Sequence, residues 1–105
     1  MIVWYHGRMD KKRILDKRAV ALKYNVEDIA PKVIGKGQGY LAEKLLESAR
    51  INRIPVYKDP NLTKDLMGVE LGENIPPELY EVVASVLVFI SDLDKMEAYK
   101  RRGDG

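Results

Sequence analysis

The sequence predicts an α/β fold, a small and mostly buried sheet of three to four strands surrounded by helices. Three observations carry this reading. Short apolar runs of strand length recur, each bounded by charge, glycine or proline. Two longer stretches place apolar residues on one helical face. Strand-like and helix-like segments alternate along the chain, the pattern of a sheet covered by helices.

The elements follow in order. "RAVALKY" (18–24) reads as a short buried strand and Asn25–Asp28 as a turn. "APKVIGKG" (30–37) offers a second strand over Lys32–Ile34, closed by glycines. From Gln38 to Asn52, Leu41, Ala42, Leu45, Leu46 and Ala49 share one face of an amphipathic helix. "RIPVYKD" (53–59) is a third strand, which Pro55 restricts to an edge or an entry position because proline lacks an N–H. Asp59-Pro60-Asn61 opens a short helix, Leu62–Met67, with proline suited to its first turn. "GVELGENIPP" (68–77) is a loop. The longest helix runs from Pro76 to about Ala98, with Leu79, Val82, Val83, Val86, Leu87, Ile90 and Leu93 as its apolar stripe. At the front, "MIVWY" reads either as an extra strand or as a tail outside the sheet.

The resulting division is a basic N-terminal segment over 1–17, one domain over 18–98 and a basic tail over 99–105. Val20, Leu22, Val33, Leu45, Val56, Leu66, Val83 and Leu87 are the expected core.

Composition narrows the function. The chain has 105 residues, 46% hydrophobic and 32% charged, the balance of an ordinary globular domain. With no cysteine, disulfides and thiolate metal sites are excluded. The longest apolar run, Val82–Ile90, is far below the roughly 20 residues that span a bilayer. In "MIVWYHGRMDKK" charge follows the apolar part, unlike a signal peptide, so a cytoplasmic location is expected.

The net charge of +2 hides an asymmetry. Residues 1–25 carry seven Lys/Arg against Asp10 and Asp16, while residues 59–97 carry nine Asp/Glu against Lys64 and Lys95. The basic front, with Trp4 and Tyr5 beside it as stacking surfaces, supports an alternative reading as a small basic nucleic-acid-binding protein. The acidic second half and the lack of a basic recognition face argue against it, and no nucleic acid is expected.

Catalytic chemistry finds little to use. His6 is the single histidine and is expected in a mobile N-terminus, while Ser48, Ser85 and Ser91 fall on helices without an implied base. Asp92, Asp94 and Glu97 read as a solvated helix end rather than a metal site. "GKGQG" (35–39) precedes a helix as phosphate loops do, but it lacks the Gly-Lys-Ser/Thr ending and the four-residue spacer. It reads as a strand-to-helix turn. No catalytic residue, metal site or cofactor is expected.

The order of motifs says more. "AVALKY", "APKVIGKG", an Ala-Leu helix, "RIPVY", "NLTKDLM" and "VELGENIPPELYEVVASVL" closely resemble the cytoplasmic C-terminal domain of the FlhB/YscU flagellar and type III secretion export-switch family. The likeness covers about Arg18–Lys95, with "AP-x-V-x-x-KG" and "IP-x-ELY-x-x-VA-x-VL" as its most specific parts. It implies a small α/β domain, beside a membrane domain, that helps an export gate change from rod and hook substrates to filament substrates. It also implies self-cleavage at an Asn-Pro-Thr-His tetrapeptide just before the "AVAL" strand, where the asparagine amide attacks its own carbonyl.

Here the sequence departs from the family. Ile14, Leu15, Asp16 and Lys17 occupy those four positions, and no Asn-Pro pair occurs in the chain. An alkyl side chain at position 14 holds no nucleophile, so a non-cleaving relative is expected, and the sequence lacks the family's membrane domain, so a stand-alone one is expected. The partners implied are export-apparatus proteins, export substrates and a membrane-anchored FlhB, with the protein peripheral at the export gate on the inner membrane. Ala30 and Pro31, at an exposed sheet border, are expected to face Ala84 and Leu87 on the long helix. Small side chains there would leave a shallow apolar recess for a peptide anchor.

Overall fold

The computed structural model describes residues 1–6, 14–25 and 27–90. Its elements are β1 (Ile2–His6), a 3-10 turn (Ile14–Asp16), β2 (Lys17–Lys23), β3 (Lys32–Gln38), α1 (Tyr40–Ile51), β4 (Val56–Lys58), α2 (Pro60–Met67) and a second 3-10 turn (Pro77–Leu79). A third helix, α3, is described over 80–90. The sheet has four strands in the order β3-β2-β1-β4. β2 runs antiparallel to both β1 and β3, and β4 runs parallel to β1.

"MIVWY" therefore supplies a strand, and an interior one between β2 and β4. Its alternation sets the two faces. Val3 pairs with Val20 toward the larger core, and Ile2 pairs with Ala21 toward the other. Met1 anchors its start by donating from its amino group to the Leu22 carbonyl at 3.1 Å, and burial lowers the pKa of that amine.

α1 covers one face and α2 with α3 the other. The larger core joins Val3, Val20, Leu22 and Val33 to Leu62 and Leu66 of α2 and to Leu79, Val83 and Val86. The smaller gathers Ile2, Ala19, Ala42 and Ala49 under α1. α2 starts where Asp59 accepts a hydrogen bond from the Leu62 N–H at 3.0 Å with Pro60 in the first turn, as its sequence predicts. Its last turn is held by Lys36, whose Nζ donates to the Met67 and Val69 carbonyls at 3.1 and 2.8 Å.

Several expectations are corrected. β3 does not stop at Ile34 but continues through both glycines to Gln38. Ala21 faces Gly35 while Leu22 faces Val33, so Ile34 is the extra residue of a bulge. Gly35 and Gly37 lie opposite Ala21 and Ala19, on the face that α1 packs against. A side chain at Gly37 would meet the Leu41 backbone at 2.7 Å, so glycine is required there. Gly39, at φ 65°, ψ −124°, turns the chain into α1 in a conformation that only glycine adopts easily.

Val56 is 49% exposed rather than core, because β4 is an edge strand and the smaller core under α1 does not reach it. Leu45 and Leu87 are half-buried, and Val86 takes the buried position beside Val83. The long helix is preceded by a 3-10 turn instead of beginning at Pro76. Leu93, Ser91, Asp92, Asp94, Glu97, the extension to Ala98 and the tail 99–105 lie outside the described residues, as does the basic stretch 7–13.

Candidate functional site

The recess is built where the β2–β3 connection meets α3. After β2 the chain turns tightly: the Asp28 N–H donates to the Asn25 carbonyl, and an Asp28 carboxylate oxygen accepts from the Asn25 N–H at 3.0 Å. This turn leaves Ile29 90% exposed and carries Ala30 into the larger core. Pro31 is fixed by its carbonyl, which accepts from the Ile75 N–H at 2.9 Å, so the segment leading to α3 is tied to the start of β3.

On α3, Tyr80, Ala84, Leu87 and Val88 fall at i, i+4, i+7 and i+8 and share one face. Together with Tyr24, Ile29, Ala30 and Pro31 they line a recess of about 330 Å³. Ala84 is exposed, and its single methyl leaves the opening; Tyr24 and Tyr80 stand at the sides as half-exposed rings. Such a surface can take an apolar side chain from a peptide, since burying one is worth roughly 1.5–3 kcal/mol. It holds no arrangement for chemistry.

All four residues singled out from the sequence, Ala30, Pro31, Ala84 and Leu87, line this one recess. Ala30 and Pro31 are nonetheless buried at its base, not exposed on a sheet border, because Ala30 packs into the larger core. Tyr24, Ile29, Tyr80 and Val88 were missed. The helical spacing of Tyr80 and Val88 around Ala84 is a signal that was available; the positions of Tyr24 and Ile29 depend on the turn.

Elsewhere, Ile14–Asp16 form the 3-10 turn that leads into β2, with the Leu15 carbonyl accepting from Gln38 Nε2 at 3.1 Å. The junction before "AVAL" is thus a strand entrance with aspartate and lysine beside it. His6 closes β1 opposite Lys17 instead of lying in a mobile tail. Tyr5 is buried with its hydroxyl accepting from Arg18 Nη1 at 2.8 Å, so it offers no face on which a base could stack. Ser85 donates to the Glu81 carbonyl of its own helix. Among the described residues, no group of three His, Cys, Asp or Glu side chains is placed to hold a metal ion. No described helix is long and apolar enough to cross a membrane.

A small α/β/α domain with a mixed four-stranded sheet and an apolar recess at one end is the class that these features define. The chain belongs to the FlhB HrpN YscU SpaS family, whose model matches residues 17–90. The flagellar biosynthetic protein FlhB of Aquifex aeolicus is 43% identical over 74 residues, 69% of this chain and 21% of that protein. YlqH of Bacillus subtilis, named an uncharacterized protein, is 34% identical over 86 residues, 81% of this chain and 92% of its own length. The chain thus spans about a fifth of the Aquifex FlhB and nearly the whole of YlqH. Among solved structures, the cytoplasmic domain of FlhB from Shewanella putrefaciens superimposes with a TM-score of 0.76 at 29% identity, covering 91% of this chain and 74% of that one. A variant of the EscU C-terminal domain gives 0.72 at 26%, covering 84% and 74%. The α/β expectation and the family resemblance both hold.

Proposed function

We propose that this protein is a binding module of flagellar or type III protein export, acting in the cytoplasm at the export gate. The recess between the β2–β3 turn and α3 receives an apolar anchor from early export substrates of the rod and hook type, and so contributes to substrate-specificity switching. Membership of the family supports the setting. The observation that carries the reading is the joining of Ala30, Pro31, Ala84 and Leu87 in one apolar recess.

The module works without cutting its own backbone. Position 14 carries isoleucine, and scission by the family's route needs a side-chain amide there. A purified sample held for days at neutral pH should give one mass. Two fragments divided between Ile14 and Leu15, with proteases excluded, would remove this part of the proposal.

The recess is tested by enlarging Ala84, which is exposed and lines it. Ala84→Phe should keep the denaturation midpoint and lose binding to rod and hook subunits, measured by titration calorimetry. Binding that survives with folding intact would place the partner surface elsewhere. If Ala84→Phe unfolds the domain, Val88→Asp, at an exposed position on the same wall, decides between the outcomes.

A further inference from the structure

The two edges of the sheet are built differently. β4 is three residues long, with Pro55 before it and Pro60 soon after, and such an edge offers little to an incoming strand. β3 is seven residues long, and its outer side is covered for only part of that length. At its start the Val33 N–H donates to the Glu73 carbonyl at 3.0 Å, and the Gly72 N–H donates to the Val33 carbonyl at 2.8 Å. Lys32 bridges antiparallel to Asn74 beside them. The chain lays its own extended segment along this edge, and that cover stops at Val33.

Beyond Val33 the alternation of ladder bonds leaves the edge open. Leu22 exchanges bonds with Met1, so its backbone faces β1; the Gly39 N–H donates to the Lys17 carbonyl, so Lys17 faces β3. Between them Ala21 and Ala19 face Gly35 and Gly37 across the ladder, and the N–H and carbonyl groups of Lys36 and Gln38 point away from it. No described residue pairs with these groups. An edge lysine can guard such a strand, but the Lys36 amine is engaged by the Met67 and Val69 carbonyls at the end of α2.

α1 overhangs the open part. Gly35 and Gly37 present no side chain to it, and Leu45 and Leu41 lie over them. A Cβ at Gly35 would be 3.6 Å from Leu45 Cδ2, and one at Gly37 would be 2.8 Å from Leu41 Cβ. Leu41, Leu45 and Ser48 fall at i, i+4 and i+7 on this flank, and Leu41 is 59% exposed. A second recess, of about 220 Å³, has Ile34, Gly35, Leu45 and Ser48 in its lining. It shares no residue with the recess at α3.

We infer that β3, between Gly35 and Gln38, accepts an antiparallel strand from a partner protein, an extended segment with apolar side chains at alternate positions. The open groups are those of a strand ladder, so the occupant is extended, and segment 72–74 shows this edge already taking one. Residues of the incoming strand that face Lys36 and Gln38 exchange hydrogen bonds with them. Those opposite Gly35 and Gly37 turn their side chains to the α1 face, one toward the second recess and one over Leu41. A second copy of β3 fits less well. In any register that pairs Lys36 and Gln38, the copy's glycines fall on the α1 face and leave Leu41 uncovered.

The experiment is amide exchange and peptide titration of the whole protein, both followed by NMR. In the free protein the Lys36 and Gln38 amides should exchange at least about a hundredfold faster than that of Gly37, which the β2 ladder holds. The probes are peptides of about six residues that alternate threonine with valine, leucine or phenylalanine. At least one should bind with a Kd below about 1 mM, slow the Lys36 and Gln38 amides and shift the Leu41 and Leu45 signals. N-methylation of its threonines, whose amides face β3, should abolish binding. N-methylation of its apolar residues, whose amides face outward, should leave affinity within about threefold. Leu41→Glu, at an exposed position, should weaken binding at least about tenfold with an unchanged melt. Lys36 and Gln38 amides as slow as Gly37, no binding by any probe at about 1 mM, or equal binding of the two methylated forms overturns the inference. A dimer in sedimentation that Gln38→Pro abolishes would assign the edge to a second copy and overturn it as well.

Discussion

The two faces of the sheet are packed by opposite means. Toward α1 the strands present Ala19, Ala21, Gly35 and Gly37, and the helix answers with Ala42 and Ala49. Toward α2 and α3 they present Val3, Val20, Leu22 and Val33, met by Leu66, Ile75 and Val83. On the first face β3 and α1 approach closely at Gly37, and Ile2, Trp4, Leu45 and Leu46 pack around these small residues. On the second, large aliphatic groups interdigitate and most of the apolar burial is concentrated. The first face should be sensitive to added atoms and the second to removed ones, since interiors are packed near crystal density. The recess opens from the second face, where α3 carries the small side chain of Ala84.

The largest expected effect follows from the second face. Leu66 is fully buried in α2. Leu66→Ala removes its contacts and leaves a cavity in a layer whose neighbours are held by both sheet and helix, at an expected cost of about 2–5 kcal/mol. For a small domain with about 5–15 kcal/mol in total, much of its stability is lost. Urea denaturation followed by circular dichroism measures it. A change below about 1 kcal/mol would show that this face can collapse around a void, and the proposed contrast would fail.

How much of this was legible varied by element. β2 and the α1 face were readable because charge bounds one and helical periodicity marks the other. β1 stayed undecided, since five residues of alternation become a strand only when β2 and β4 flank them, and pairing is not written locally. β3 was cut short because glycines commonly end strands, whereas here the strand runs on through Gly35 and Gly37, and Gly37 makes room for a helix. Val56 was misplaced for a related reason: an apolar residue in a strand is buried only if a layer covers that strand, and β4 lies at the edge. At the recess, Ala30, Pro31, Ala84 and Leu87 were accessible from the resemblance and from side-chain size. Tyr24 and Ile29 were not, because a turn held by Asp28 sets where they stand.

The smaller effect probes the α1 face with a single methyl. At Gly37 an added Cβ would lie 2.7 Å from the Leu41 carbonyl carbon, 2.8 Å from its Cβ and 2.9 Å from the Ala42 nitrogen. Two of these three atoms are backbone at the start of α1, so no rotamer change relieves the clash; strand and helix must separate. Gly37→Ala should therefore cost about 1–3 kcal/mol. Gly35 lies two residues earlier on the same face, yet a Cβ there meets only Ala21 Cβ at 3.5 Å and Leu45 Cδ2 at 3.6 Å, ordinary contact distances. Gly35→Ala also restricts the unfolded chain, which stabilises by about 0.4–1 kcal/mol where the conformation is compatible. The pair of alanine variants, compared in one urea series, should move in opposite directions. If both lose stability equally, the penalty belongs to β-strand glycines in general, and close approach of α1 is not what distinguishes this face.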